Sequence, residues 1–203
     1  MKRINLIFIS LLTGVMITGC DWHGNQTIIG TGDVEPMEVT LPAFDGVDIT
    51  GQCNVDIVIG ETQSVTLYAQ SEILEVMTYN VINGMLQLGF KPGYSVNTKE
   101  EISAEITIPS VSYAGITGAG GFKLSGPQQD MLDIYITGTG DIKAFDMEVK
   151  ACNIRITGAG NCEVNVRDQL DVDISGVGNI RYMGSPALNT DVSGVGNVTP
   201  VTP

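Results

Sequence analysis

A Gly-x-Gly unit recurs at Gly118/Gly120, Gly138/Gly140, Gly158/Gly160, Gly176/Gly178 and Gly194/Gly196, in steps of 20, 20, 18 and 18 residues. A near-constant period of this length marks a chain in which each unit packs mainly on its neighbours. Alignment on the first glycine gives aliphatic columns. Two residues before it stand Ile116, Ile136, Ile156, Ile174 and Val192; four after it stand Phe122, Ile142, Cys162, Ile180 and Val198. The column four before, Ala114, Ile134, Ile154, Val172 and Thr190, keeps the same parity. Alternation on both flanks predicts two strands per unit, each with one buried face. Both glycines of each unit fall between the strands, where a sharp corner requires the positive φ and close backbone approach that glycine allows.

Stacked units of this kind make a parallel β-helix: an all-β, single-domain solenoid of two sheets with Gly-x-Gly corners and 18–20 residues per coil. Asp141, Asn161, Asn179 and Asn197 follow the second glycine, and amides stacked in this way can hydrogen-bond along the column. An older echo, "ITGQCNVDI" around Gly51, has Cys53 in place of the second glycine. The N-terminal half of the domain is less regular but also β-rich. In it "INGML" reads as a tight turn between strands and "SEILEVM" as a helical turn or irregular connection. A left-handed hexapeptide helix also uses 18 residues per coil, but the 20-residue steps break its register.

Residues 1–19 have export grammar: a basic start with Lys2 and Arg3, an apolar run, and "ITGC" before Cys20. "ITGC" resembles the bacterial lipobox, which makes Cys20 the expected lipid attachment site and the membrane a partner through that lipid. Residues 20–37 read as a flexible tether and 38–203 as the folded domain. The expected location is the cell envelope, as an outer-membrane lipoprotein facing the periplasm or the surface. A formal charge of −13 repels phosphate backbones and argues against nucleic acid as a partner. Cys53, Cys152 and Cys162 remain after lipidation, an odd number, and are expected as free thiols.

"FDGVDITGQCNVDIVIGETQSVTLYAQSEILEVMTYNVINGMLQLG" and the repeats "GITGAGGF", "YITGTGDI", "RITGAGNC", "DISGVGNI" and "DVSGVGNV" together resemble the bacterial head GIN domain family. Its members are described as auto-transporter adhesins, common among lipid-anchored envelope proteins of Bacteroides-like bacteria. The resemblance implies a two-sheeted β-helical body and a role in adhesion, with no catalytic residues to carry over.

Outward positions before the corner form a polar strip. It contains Asp133, Tyr135, Arg155, Asp171, Asp173 and Asp191, with Asn153 and Asn189 between. Such a strip suits contact with a glycan or protein, and Tyr135 offers a ring to a sugar. Carboxylate pairs also serve polysaccharide-cleaving enzymes. Outward positions of any half-exposed strand are polar, so a plain solvated face is the third reading. A catalytic cysteine lacks a histidine partner, because His23 is the only one and lies in the tether. No metal or other cofactor is expected: only Asp141 offers a carboxylate at the corners, and the G-x-G-x-x-G of a dinucleotide fold is missing. The leading expectation is a non-catalytic binding or adhesion protein. A polysaccharide-active enzyme and a purely structural envelope protein are the alternatives, and self-association stays open.

Overall fold

The computed structural model describes residues 26–202. Cys20, His23 and the expected leader lie outside the described residues. The described residues are all-β, with a single four-residue helix among them, α1 (Ser71–Leu74). The strands of its first half are β1 (Gln26–Ile29), β2 (Glu35–Val39), β3 (Gly46–Ile49), β4 (Gln52–Ile59), β5 (Ser64–Ala69), β6 (Met77–Ile82) and β7 (Met85–Phe90). Then come β8 (Tyr94–Asn97), β9 (Ser103–Ile108), β10 (Tyr113–Ile116), β11 (Ala119–Ser125), β12 (Gln129–Ile136), β13 (Thr139–Ile156), β14 (Cys162–Ile174), β15 (Ile180–Met183), β16 (Ala187–Val192) and β17 (Val198–Pro200).

Equivalent strands pair in parallel, each on the unit before it. Ile116 faces Ile136, Ile136 faces Ile156, Ile156 faces Ile174 and Ile174 faces Val192. Phe122, Ile142, Cys162, Ile180 and Val198 form the matching column beyond the corner. The older echo joins the same ladders, with Ile49 against Ile116 and Val55 against Phe122. From Ile49 to Ile174 and from Val55 to Ile180 these columns are buried. Burying one such side chain stabilises a fold by about 1.5–3 kcal/mol, so the columns are the main source of cohesion.

At every corner two consecutive amides converge on one carbonyl of the tier below. Thr137 and Gly138 donate to Ile116 at 2.9 Å, and Thr157 and Gly158 donate to Ile136 at 2.9 and 3.0 Å. Ala159 then donates to the Gly138 carbonyl at 2.9 Å. This brings the backbones so close that a Cβ on Gly138, Gly158, Gly176 or Gly194 would overlap the carbonyl oxygen of the glycine one tier below.

The second glycine of each unit departs from the sequence expectation in two ways. Gly160, Gly178 and Gly196 do lie between strands, but Gly120 and Gly140 lie inside β11 and β13. Gly140 pairs with Gly120, and Gly120 with Cys53, so the ladder runs on through them. The bend in those two units is confined to residues 117–118 and 137–138. Positive φ is also rarer than a glycine corner suggests. Only Gly120 and Gly140 have it, at 145° and 158°; Gly118, Gly138, Gly158, Gly160, Gly176, Gly178, Gly194 and Gly196 do not. Close approach is the recurring requirement instead. A Cβ on Gly120 would overlap the Cys53 carbonyl oxygen, one on Gly140 that of Gly120, and one on Gly196 that of Gly178.

Cys53 keeps a side chain at its corner because its other neighbour, β9, starts pairing only at Asn54 against Ser103. Its thiol is buried and pushed up to about 12. Burial likewise raises Cys152 and Cys162, and all three thiols are free.

Alternation on both flanks predicts two separate sheets; the strands instead form one curled, open 15-stranded sheet beside the small β1–β8 pair. The reason lies in the return connection. In β13 and β14 it is not a loop but continuous strand, so both flanks of the corner join through it. Bulges absorb the change of period there. Ala144 faces Val164 and Glu148 faces Asn165, which inserts three residues into β13; Val149 faces Val166 and Ala151 faces Gln169, which gives one back. The net excess of two is the difference between the 20- and 18-residue steps, and the columns at the corner stay in register.

Between β4 and β10 the chain leaves the stack and builds its end. β7 and β9 add a parallel tier on β3 and β4, while β6 and β5 close over them antiparallel and β2 pairs with β5. The β6–β7 turn is the expected Asn-Gly hairpin, with φ of 53° at Asn83 and 78° at Gly84. β1 lies inside the stretch read as tether and β2 begins in it, so the folded body begins by Gln26 rather than at residue 38. Short segments such as these gain their structure from distant partners, β8 and β5, not from local pattern.

Gly158→Ala forces a methyl group into the Gly138 carbonyl and is expected to cost about 3 kcal/mol or more, a drop in Tm of ~10 °C. Exposed Ala159→Ser should stay within about 0.5 kcal/mol. Thermal and urea melts of both variants measure the difference, and equal stability would refute close packing at the corner.

Candidate functional site

In-register stacking turns outward side chains of the pre-corner strands into two neighbouring columns. One runs Gly46, Tyr113, Asp133, Asn153, Asp171, Asn189; the other runs Asp48, Gly115, Tyr135, Arg155, Asp173, Asp191. All six strip residues expected from the sequence, Asp133, Tyr135, Arg155, Asp171, Asp173 and Asp191, thus share one face. Neighbouring tiers sit about 4.8 Å apart, which places each polar group within reach of the next. Asn153 Nδ2 donates to Asp133 Oδ1 at 2.7 Å and Asn189 Nδ2 to Asp171 Oδ1 at 3.1 Å. Arg155 Nε lies 3.3 Å from Asp173 Oδ2. Alternation of amide, carboxylate and guanidinium up the columns relieves repulsion between like charges. The upper part of this face is a shallow groove of about 320 Å³, lined by Tyr135, Arg155, Asp171, Asp173 and Asp191 among others.

The repeat places Tyr113 in the lower part of the face, five residues before Gly118, but not the stacking around it. Tyr113 stacks on Tyr135, ring centroids 5.5 Å apart and planes 21° from parallel. The Tyr113 ring lies across Gly115, where a Cβ would come within 2.7 Å of the ring and 2.9 Å of Asp48 Oδ1. Glycine at this outward position is what lets the tyrosine lie against the sheet beside Asp48. Thr117 Oγ1 donates to Asp48 at 3.2 Å. Burial raises the Asp48 carboxyl above its ordinary range, while the Thr117 hydroxyl and amide pull it back. Burial also raises the Tyr113 hydroxyl, with the Asp48 charge adding to it. The result is an aromatic ledge flanked by the carboxylates of Asp48 and Asp133.

Past the corner lies a larger groove of about 730 Å³. Its amides are engaged with one another. Asn161 donates to Asp141 through its backbone and side chain at 2.8 and 2.9 Å, and Asn179 repeats the contact on Asn161 at 3.1 and 3.2 Å. Arg181 pairs with Glu163 at 2.7 Å. The carboxylate of Asp141 is thereby committed to the ladder, and the glycine corners serve backbone stacking. Among the described residues no three His, Cys, Asp or Glu side chains converge as a metal would require.

The fold and face are those of an all-β module built from stacked repeat units. A family model described as "Putative auto-transporter adhesin, head GIN domain" matches residues 43–137 and 114–186, and the chain belongs to this family. The overlap of the two matches suits a chain with internal repetition. A Bacteroides fragilis protein described as a putative adhesin has a similar fold, with a TM-score of 0.59 at 18% identity over 86% of this chain and 100% of that one. A Parabacteroides merdae protein described as a putative adhesin gives a TM-score of 0.48 at 17% identity, covering 87% and 99%. A Parabacteroides distasonis protein described as a putative lipid binding protein gives 0.49 at 15% identity, covering 87% and 100%. No curated protein matches the sequence.

Because its carboxyl is raised, folded Asp48 holds its proton to higher pH than the unfolded chain does. Ionising it therefore costs stability as pH rises above the ordinary carboxylate value of about 4. Asp48→Asn keeps an acceptor for Thr117 and removes that cost. The variant should melt above the parent at pH 7, with the gain vanishing near about pH 3. A gain independent of pH would assign the effect to packing instead.

Proposed function

We propose that this protein is a lipid-anchored envelope protein that presents its stacked strands as a rigid, non-catalytic solenoid for binding. The observation that carries this reading is the Tyr113–Tyr135 stack between Asp48 and Asp133 on an outward sheet face. Aromatic rings offer apolar faces to the C–H surface of a sugar, and carboxylates accept hydrogen bonds from its hydroxyls. A carbohydrate is therefore the proposed ligand class. The polar groove above the tyrosines continues the surface for further residues of a chain-like glycan. Membership of an adhesin family supports a binding role. A shallow site gives modest affinity, which many copies tethered in one membrane would multiply. Cys20 is the proposed attachment point and the outer membrane the proposed location. No helix among the described residues is long and apolar enough to cross a membrane.

A second reading, a polysaccharide-active enzyme, draws on the raised carboxyl of Asp48 near the tyrosine ledge. A glycan array probed with the parent, Tyr113→Ala and Tyr135→Ala proteins, followed by a turnover assay on each bound glycan, separates the two. The proposed function requires binding that falls about tenfold or more in each tyrosine variant, without turnover. Cleavage abolished by Asp48→Asn or Asp133→Asn would establish the enzyme, and a blank array would leave a structural envelope role.

A further inference from the structure

The two ends of the stack are finished differently. The N-terminal end is closed by β5 and β6, both antiparallel to the tier they cover. At the other end, among the described residues, β16 and β17 pair on one side only, β16 with β14 and β17 with β15. All six residues of β16 are exposed, and Leu188 and Val192, in aliphatic columns, are 44% and 41% exposed. An open parallel edge of this kind recruits another strand unless something blocks it.

The hydrogen-bonding parity of the two edge strands differs in its consequences. Ser193 donates its amide to Ile174, towards β14. Amides two residues apart point the same way, so Asn189 and Asp191 also face β14, while Leu188, Thr190 and Val192 offer N–H and C=O to the open edge. On β17, Val201 donates to Tyr182, which places residue 199 towards β15 and Val198 and Pro200 towards the opening. Pro200 has no N–H, so that half of the end is blunted. Every open-edge position of β16 keeps its donor.

We propose that β16 pairs antiparallel with β16 of a second copy, about a two-fold axis through Thr190. In that register Thr190 faces its own counterpart and Leu188 faces Val192. These are the residues with free backbone groups, so all three inward positions become hydrogen-bonded pairs. The same register puts Leu188 and Val192 of each copy over the open core of the other. On the outer face Asn189 comes opposite Asp191, an amide against a carboxylate, so the single acid of β16 never meets its own copy. Screening over about 8 Å at physiological salt limits the rest of the negative charge to a minor opposing effect. A shift by one residue would set inward side chains against outward ones, and a shift by two would oppose Asp191 to Asp191 or Asn189 to Asn189.

Sedimentation of the full-length protein in detergent tests this, with two kinds of variant. Thr190→Pro deletes an edge donor without touching the β14 ladder; it should keep the parent's Tm and weaken the dimer by at least about tenfold. Asn189→Cys/Asp191→Cys should cross-link into a disulfide dimer under mild oxidation, since non-hydrogen-bonded pairs bring Cα atoms to about 4.5 Å. Either single cysteine should cross-link far more slowly. A monomeric parent, a dimer indifferent to Thr190→Pro, or equal cross-linking by the single cysteines would overturn the proposal.

Discussion

The corner is where the architecture is decided. Two amides of each tier, such as those of Thr157 and Gly158, converge on one carbonyl of the tier beneath, and the next amide takes the carbonyl of the glycine below. That arrangement leaves no volume for a Cβ at the first glycine. The cost of so much glycine is conformational entropy in the unfolded chain, about 0.5–1 kcal/mol per residue relative to alanine. It is offset because the close approach sets the register for everything else. Once Gly158 sits on Gly138, Ile156 lies on Ile136 and Cys162 on Ile142. The aliphatic columns and the outward polar columns are both consequences of that single contact.

The same rigidity makes the outward face usable. Side chains on stacked tiers repeat at a fixed interval, so the Tyr113–Tyr135 ledge and the carboxylates beside it are held by ladder rather than by loop. Variation is exported to the far side of each unit. There the bulges between Ala144 and Ala151 absorb a two-residue change in period without moving the corner. The ends of the stack carry a different burden. One is covered by antiparallel strands; at the other, Pro200 blunts β17 while β16 stays open.

The repeating half is legible because its columns are set by one recognisable residue type at near-even spacing. Aligning on Gly118, Gly138, Gly158, Gly176 and Gly194 is enough to place Asp133, Tyr135, Arg155, Asp171, Asp173 and Asp191 on one face. The Asn ladder and the hairpin at Asn83–Gly84 are equally readable from local chemistry. What the glycines do is less so. A Gly-x-Gly signature does not distinguish a left-handed turn from close stacking, nor Gly120 and Gly140 within strands from Gly160, Gly178 and Gly196 between them. Tyr113, five residues before Gly118, falls in the Asp133 column of the same alignment, but position alone does not show that its ring lies over Gly115 against Tyr135. Asp48 stands outside the five units because β3 and β10 are tier neighbours separated by a long excursion in sequence. Extending the alignment to the Gly51 echo puts Asp48 in the column of Tyr135, so a usable signal exists. The strands β1 and β2 have none, since their partners are remote and Pro36 interrupts the pattern. Alternation reports which side chains are buried, not how the return connection runs, and so it suggests two sheets where continuous β13 and β14 make one.

Amide hydrogen exchange at the corners addresses the shared contact most directly. Thr137, Thr157 and Ser175 have exposed side chains, yet their amides, with those of Gly138, Gly158 and Gly176, donate to the tier below. Parallel stacking requires these six amides to exchange only through large-scale unfolding, with protection matching that of the buried β13–β14 ladder. Fast exchange at the glycine corners alongside a protected ladder would contradict the account, because the tiers would then not be seated on one another where the glycines are.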